Sequence, residues 1–403
     1  MVFSSHLFIF YFLPIALTLY YVTPHRFRPL LLTLLSYLFY GWANPAFVLL
    51  MLFSTGVDYF MGLQIASGQR MAESDRATGQ RMQRRALAIS IVTNLALLGF
   101  FKYANFGIDS YNDLLSALGW ADARWDMALR ITLPLGISFY TFQSMSYTID
   151  VYQGAARPVR NMVTFACYVS MFPQLVAGPI VRFREVADQL EQRSHTLEKF
   201  ARGTAFFSLG LAKKVLIANP CGHIADTCFD AGSVTTMDAW YGLAGYSFQI
   251  YFDFSAYSDM AIGLGLMLGF VFPKNFDSPY HAASITEFWR RWHISLSQFL
   301  RDYLYIALGG NRRGAARTYA NLALVMLIGG LWHGASWNFV IWGGIHGAML
   351  ALERLQGKAN VYRHLPHGLR VLLTFAIVSL AWVFFRATTL PDAWDYLSAL
   401  FGI

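Results

Sequence analysis

The sequence is short of charged residues: 13% of its 403 positions are Asp, Glu, Lys or Arg, against roughly a quarter in an average soluble protein. With 56% of the chain hydrophobic, too little polar material remains to clothe a soluble fold of this length. Cysteine is scarce as well. The three thiols, Cys167, Cys221 and Cys228, make no disulfide framework, although Cys221 and Cys228 share one short stretch and are spaced to pair. The chain has no GxSxG elbow, no GxxxxGK[ST] phosphate loop and no metal-ligand spacing of Cys or His, so no metal and no resident cofactor is expected. Internal repeats, low-complexity tracts and soluble linkers are missing too, and residues 1–403 read as a single transmembrane domain. Residues 2–21 lack the basic start and small-residue cleavage site of a signal peptide, and read as a retained first span.

What is present is apolar and aromatic, with 34 Phe, 22 Tyr and 11 Trp. A hydrocarbon core about 30 Å thick asks for about 20 apolar residues per helix, fewer where Trp or Tyr anchors flank it. That ruler predicts an all-α polytopic membrane protein with ten spans: 3–23, 30–42, 46–66, 87–105, 131–150, 204–219, 239–271, 318–333, 338–352 and 371–387. The run 161–177 is apolar but carries Pro173 and precedes Gly178-Pro179, so it reads as re-entrant. The stretch 67–86 is the most loop-like, and its Arg70, Arg81, Arg84 and Arg85 suit the polar face of a helix lying on lipid headgroups.

Orientation follows from where the charges sit. With the N-terminus outside, the cytoplasmic segments are 24–29, 67–86, 151–203, 272–317 and 353–370, and they hold 25 of the 31 Lys and Arg residues. The outer loops 106–130 and 220–238 carry Asp109, Asp113, Asp122, Asp126, Asp226, Asp230 and Asp238 instead. Every loop agrees with the positive-inside rule. The net charge of +8 therefore points to a membrane and not to nucleic acid, because the basic residues lie in short clusters between apolar runs.

Ionisable residues at membrane depth are costly and mark candidate sites. In GGLWHGASWNFVIWGGIHG (329–347), His333 sits beside Trp332 in a stretch free of charge from Asn321 to Ala351. A neutral imidazole in an apolar tunnel is a competent general base for a hydroxyl. The plainer alternative is an interhelical hydrogen bond, a role that suits His346 better. In SITEFWRRWHISLSQFLRDYLYIALGGNRRG (284–314), bulky aromatics alternate with Arg290, Arg291, Arg301, Arg312 and Arg313, and His293 lies among them. Arginine forks suit the phosphates of an acyl-coenzyme A, whereas positive-inside anchoring accounts for any single one of them.

Asp253 and Asp259 in GYSFQIYFDFSAYSDMAIGLG (245–265) fall on different faces of a straight helix, with Tyr257 and several serines near them. Each reads either as part of a substrate cavity or as half of a structural pair with a buried Arg or a backbone amide. Gln143, Asp150 and Gln174 accompany Pro134, Pro173 and Pro179, a pattern of gates or tunnel walls.

The runs IYFDFSAYSDMAIGLGLMLGF, NFDSPYHAASITEFWRRWHISLSQFLRDYLYIALGGNRRG and GGLWHGASWNFVIWGGIHG closely resemble the membrane-bound O-acyltransferase family. The fit is best to its bacterial branch of alginate O-acetyltransferases of the AlgI type. LPLGISFYTFQSMSYTIDVY and YVSMFPQLVAGPIVRF extend the likeness over most of the chain. Members of that branch continue for further helices after the FRA segment, whereas this sequence stops at Ile403. The resemblance implies helices and re-entrant pieces around a central tunnel in the bacterial inner membrane. It also implies that His333 is the signature histidine and His293 the second catalytic one. The donor, most simply acetyl-coenzyme A, would dock near Arg290, Arg291 and Arg313, with Trp332, Asp253 and Tyr257 against the substrate. The acetyl group would leave on the far side for a polysaccharide, alginate-like or another exopolysaccharide, delivered by an extracytoplasmic acetyltransferase partner.

Two alternatives stand beside this expectation. A D-alanyl or peptidoglycan acyl transferase of the same fold would take its acyl group from a donor such as an acidic carrier protein docking on the basic loops. A transporter or flippase also uses broken helices and midplane polar residues.

Overall fold

A computed structural model describes residues 1–125, 130–357 and 362–403; Asp126, one of the outer-loop aspartates, lies outside them. The described residues form helices and no strand. Each of the ten expected stretches coincides with a helix over most of its length. By length and composition alone, three helices among the described residues are long and apolar enough to cross a membrane: Ala46–Met71, Arg76–Ala117 and His367–Arg386. The others are shorter or carry more polar residues, so composition by itself does not count ten crossings.

The described chain divides into two compact units, 1–201 with 265–272, and 202–264 with 273–403. In the first, the loop-like stretch 67–86 is a helical hairpin. Ala46–Met71 runs on through its polar end, turns over 72–75, and resumes as Arg76–Leu98. Asp75 caps the second helix by accepting from the backbone N–H groups of Ala77 and Thr78, each at 3.1 Å. The helices approach so closely that a Cβ on Gly79 would lie 2.5 Å from the Gly68 carbonyl oxygen. Deeper in the same hairpin, Asp58 is fully buried and accepts from Ser90 Oγ at 2.6 Å, Asn94 Nδ2 at 2.7 Å and the Ser144 hydroxyl. These donors come from two helices, Arg76–Leu98 and Ile137–Tyr152, and satisfy the carboxylate, which makes it a packing element. The run 161–177 is broken at Met171 into Met162–Ser170 and Phe172–Leu175. Gln174 donates to the Tyr168 carbonyl and Asp150 accepts from the Arg184 backbone N–H, so both are buried structural ties and not cavity walls.

In the second unit, Ala315–His333 and Trp337–Leu355 form a hairpin whose backbones touch. A Cβ on Gly330 would lie 2.2 Å from the Phe339 carbonyl oxygen, and one on Gly343 would lie 2.4 Å from that of Met326. Glycine at these two positions is what lets the neighbouring backbone approach so closely. Beside this hairpin, Trp292, Trp342, Trp382 and Phe288 make a buried aromatic core. Glu353, also buried, accepts from the N–H groups of Ile285 (2.7 Å) and Thr286 (2.9 Å), anchoring the start of Ile285–Arg291.

Candidate functional site

The site is assembled within the second unit at the tight turn between Ile285–Arg291 and Ile294–Phe299. His293 occupies that turn with φ 42° and ψ 54°, a left-handed conformation uncommon outside glycine and stabilised here by its surroundings. Asn275 does the holding. Its backbone carbonyl accepts from Ile294 N–H at 2.9 Å, and its side-chain Oδ1 accepts from Ser295 N–H at 3.1 Å and from Ser295 Oγ at 2.9 Å.

The same Oδ1 lies 3.2 Å from His293 Nδ1. A backbone N–H can only donate, so the Ser295 contact identifies that end of the amide as oxygen. His293 Nδ1 must then carry the proton, and Nε2 keeps its lone pair. Among the described residues, no hydrogen-bond partner meets that Nε2, although the imidazole is wholly buried.

His333 ends the helix Ala315–His333, and Trp332 beside it is buried. The ring centroids of His293 and His333 are 6.3 Å apart, and that of Trp332 is 5.8 Å from the first and 5.0 Å from the second. Tertiary structure thus closes the forty-residue gap between the histidines. Phe254 stands edge-on to His293 at 4.6 Å, and Trp342 and Phe385 flank His333 at 5.2 and 5.1 Å.

A cavity of about 470 Å3 reaches His333, with Arg290, Arg301 and Arg354 among its other lining residues. Its remaining wall is largely apolar, from Leu296, Leu300, Val325 and Met326. Arg290 and Arg354 also line a neighbouring cavity of about 680 Å3, together with Arg291. A polyanionic head and an apolar chain leading to an imidazole both find complementary walls here.

The other expected residues sort differently. Arg291 is tied to Glu287 at 2.9 Å and lines the neighbouring cavity and not the one that reaches His333, whereas Arg301, paired with Asp302 at 2.7 Å, does line the latter. Arg313 is exposed and folds back on Gly309, and it lines neither cavity. Asp253 is paired with Lys214 at 2.7 Å, and Asp259 with Lys213 at 2.5 Å. The aspartates thus have lysine partners, where an Arg or a backbone amide was expected. The two lysines are adjacent in sequence and open the π-helical turn Lys213–Ala218. Tyr257, half-buried on the helix Thr236–Met267, lines neither cavity.

His346 has the structural role expected of it, with its Nδ1 accepting from the Trp289 indole N–H at 3.3 Å. Sequence reading passed over Asn275 and Arg354. Nothing local distinguishes Asn275 in FPKNFDSPY, and Arg354 looks like one more basic loop residue.

The sequence model of the membrane-bound O-acyltransferase family matches residues 155–380. The "Probable alginate O-acetylase AlgI" of Pseudomonas aeruginosa is 50% identical over 403 residues, all of this chain and 75% of that protein. The "Peptidoglycan O-acetyltransferase" of Helicobacter pylori is 39% identical, over all of this chain and 80% of that protein. The "Teichoic acid D-alanyltransferase" of Bacillus subtilis is 28% identical over 62% of this chain and 68% of that one.

Proposed function

This chain belongs to the membrane-bound O-acyltransferase family, and on that premise we propose that it moves acetyl groups from a cytoplasmic donor across the bacterial inner membrane for O-acetylation of an extracytoplasmic polysaccharide. It is an O-acyltransferase, an integral membrane protein that requires an acyl donor and an acceptor. Family membership sets the transporter alternative aside. The observation that carries the reading is the shared cavity: His333 and the arginines Arg290, Arg301 and Arg354 line one space.

The donor is an acetyl thioester, most simply acetyl-coenzyme A, with its phosphates on Arg290, Arg301 and Arg354 and its acyl end toward His333. His333 removes the proton from an acceptor hydroxyl as the oxygen attacks the thioester carbonyl. The tetrahedral intermediate expels the thiolate, which takes the proton back from the imidazolium, leaving an acetyl ester and a free thiol. His293 acts as a positioning residue: its bare Nε2 favours the positive charge that His333 acquires. The chain crosses the membrane about ten times, and an extracytoplasmic acetyltransferase completes delivery to an alginate-like polymer.

A second acceptor has a specific observation behind it, because the Helicobacter pylori relative named for peptidoglycan matches the whole chain. Product analysis of the acetylated polymer distinguishes the two. The reading itself is tested by turnover in proteoliposomes with labelled acetyl-coenzyme A outside. Thioester loss that depends on both His333 and His293 supports it. An intact wild type that consumes acetylated carrier protein but not acetyl-coenzyme A would replace the donor and keep the site.

A further inference from the structure

The first unit holds a larger cavity, of about 1060 Å3, that acyl transfer as derived above does not use. Three sequence-distant stretches enclose it: 25–29 where the helix Arg28–Gly41 begins, 157–164 where Met162–Ser170 begins, and 190–194. The charge pattern assigns all three to one side of the membrane, so a cytoplasm-facing cavity joins segments that were grouped on independent grounds. Arg26, Arg157, Arg160 and Arg193 line it, with Glu191 the one carboxylate among the lining residues.

Behind the wall the excess of positive charge continues. Arg28 is only 7% exposed. Its Nε donates to the Thr23 carbonyl at 3.1 Å, and its Nη1 lies 3.3 Å from His25 Nδ1 and 3.4 Å from the His195 ring nitrogens. Arg193 donates from Nε to the Tyr20 hydroxyl at 2.9 Å, and from Nη1 to the Gln189 and Leu190 carbonyls at 3.3 Å. These acceptors aim the guanidinium groups without neutralising them. Among the described residues, none of Arg26, Arg28, Arg157, Arg160 and Arg193 forms an ion pair. Removing a guanidinium from water without a counter-charge is costly, and the positive ends of two helices add to the same field.

We propose that this cavity is a binding site for a phosphorylated anion. Guanidinium forks match phosphate oxygens, and the volume admits a group larger than a single phosphate. Two sources share that chemistry: the headgroup of an anionic phospholipid, or the phosphates of a soluble ligand.

The test uses the purified full chain in neutral detergent, wild type beside Arg157→Gln/Arg160→Gln. Thermal unfolding is followed with added inorganic pyrophosphate and, separately, with short-chain phosphatidylglycerol. One probe should raise the wild-type melting temperature in a saturable way, with affinity for it at least about tenfold weaker in the variant, as expected from losing charge-assisted hydrogen bonds. The responding probe identifies the source. No shift with either probe, or equal affinity in the variant, overturns the proposal. Both replaced side chains are exposed, so the unliganded variant should melt with the wild type. If it does not, Arg26→Gln, also on the exposed rim, repeats the comparison.

Discussion

Asn275 and His293 are joined by a hydrogen bond whose direction is settled by a third residue. The 3.2 Å contact runs from His293 Nδ1 to Asn275 Oδ1 because the same oxygen accepts the Ser295 backbone N–H at 3.1 Å. Removing that oxygen frees the imidazole to change tautomer and to turn. Asn275→Ala is expected to lower kcat about 10- to 100-fold, less than the roughly 10²–10⁴-fold that an acid–base group itself contributes, because the amide acts only through the His293 ring. Asn275→Asp, which keeps an acceptor in place, should retain more activity than Ala at a comparable melting temperature. Equal losses in both variants would show that the oxygen does not orient the ring.

His333 lines the cavity at the end of its helix, next to the buried Trp332. His333→Ala should therefore cut acetyl transfer about 10²–10⁴-fold while the melting temperature stays near that of the wild type. Transfer at the wild-type rate in a proteoliposome assay would remove His333 from the mechanism.

Glu353 holds the start of Ile285–Arg291 by two backbone N–H groups, and also accepts from Thr286 Oγ1 at 2.5 Å. Glu353→Ala leaves buried donors without a partner, at a cost of about 1–3 kcal/mol. The helix carries Arg290, so substrate affinity should weaken along with stability. Detergent-phase denaturation and KM measured together test both halves.

The pairs Lys213–Asp259 and Lys214–Asp253 each join one helix to another within the second unit. Losing a single partner strands a charge in a largely apolar setting. Lys213→Ala should destabilise more than Lys213→Ala/Asp259→Ala does, with a coupling energy of about 0.5–3 kcal/mol from a double-mutant cycle. Strict additivity would mean that the pair contributes nothing.

His195 lies in the loop before Leu197, outside the apolar spans, and its pKa is lowered from 6.5 to about 4, first by partial burial and then by Arg28, Arg193 and His25. Between those values the unfolded chain takes up a proton that the folded chain resists. The stability due to this group is therefore full above pH 6.5 and is lost as the pH falls toward 4. The melting temperature should drop across that window, and His195→Gln should flatten the drop. An identical pH slope in the variant would assign the effect to other groups.

The sequence by itself determined the solvent of this protein, its helical class and the identity of its signature motifs. Scarce charge, long apolar runs and basic loops are one-dimensional properties, because a bilayer constrains each segment separately. The His333 and His293 runs were legible for the same reason: unusual residues stand out within an apolar stretch. Only the tertiary structure decided what those residues meet. It put Asn275 under His293, Lys213 and Lys214 against the two aspartates, and Arg354 beside Arg290, and it left Arg313 outside. Such choices depend on how helices pack and where a turn such as His293 reverses the chain, and the partners are separated by 18 to 64 positions. No local spacing encodes a contact of that kind.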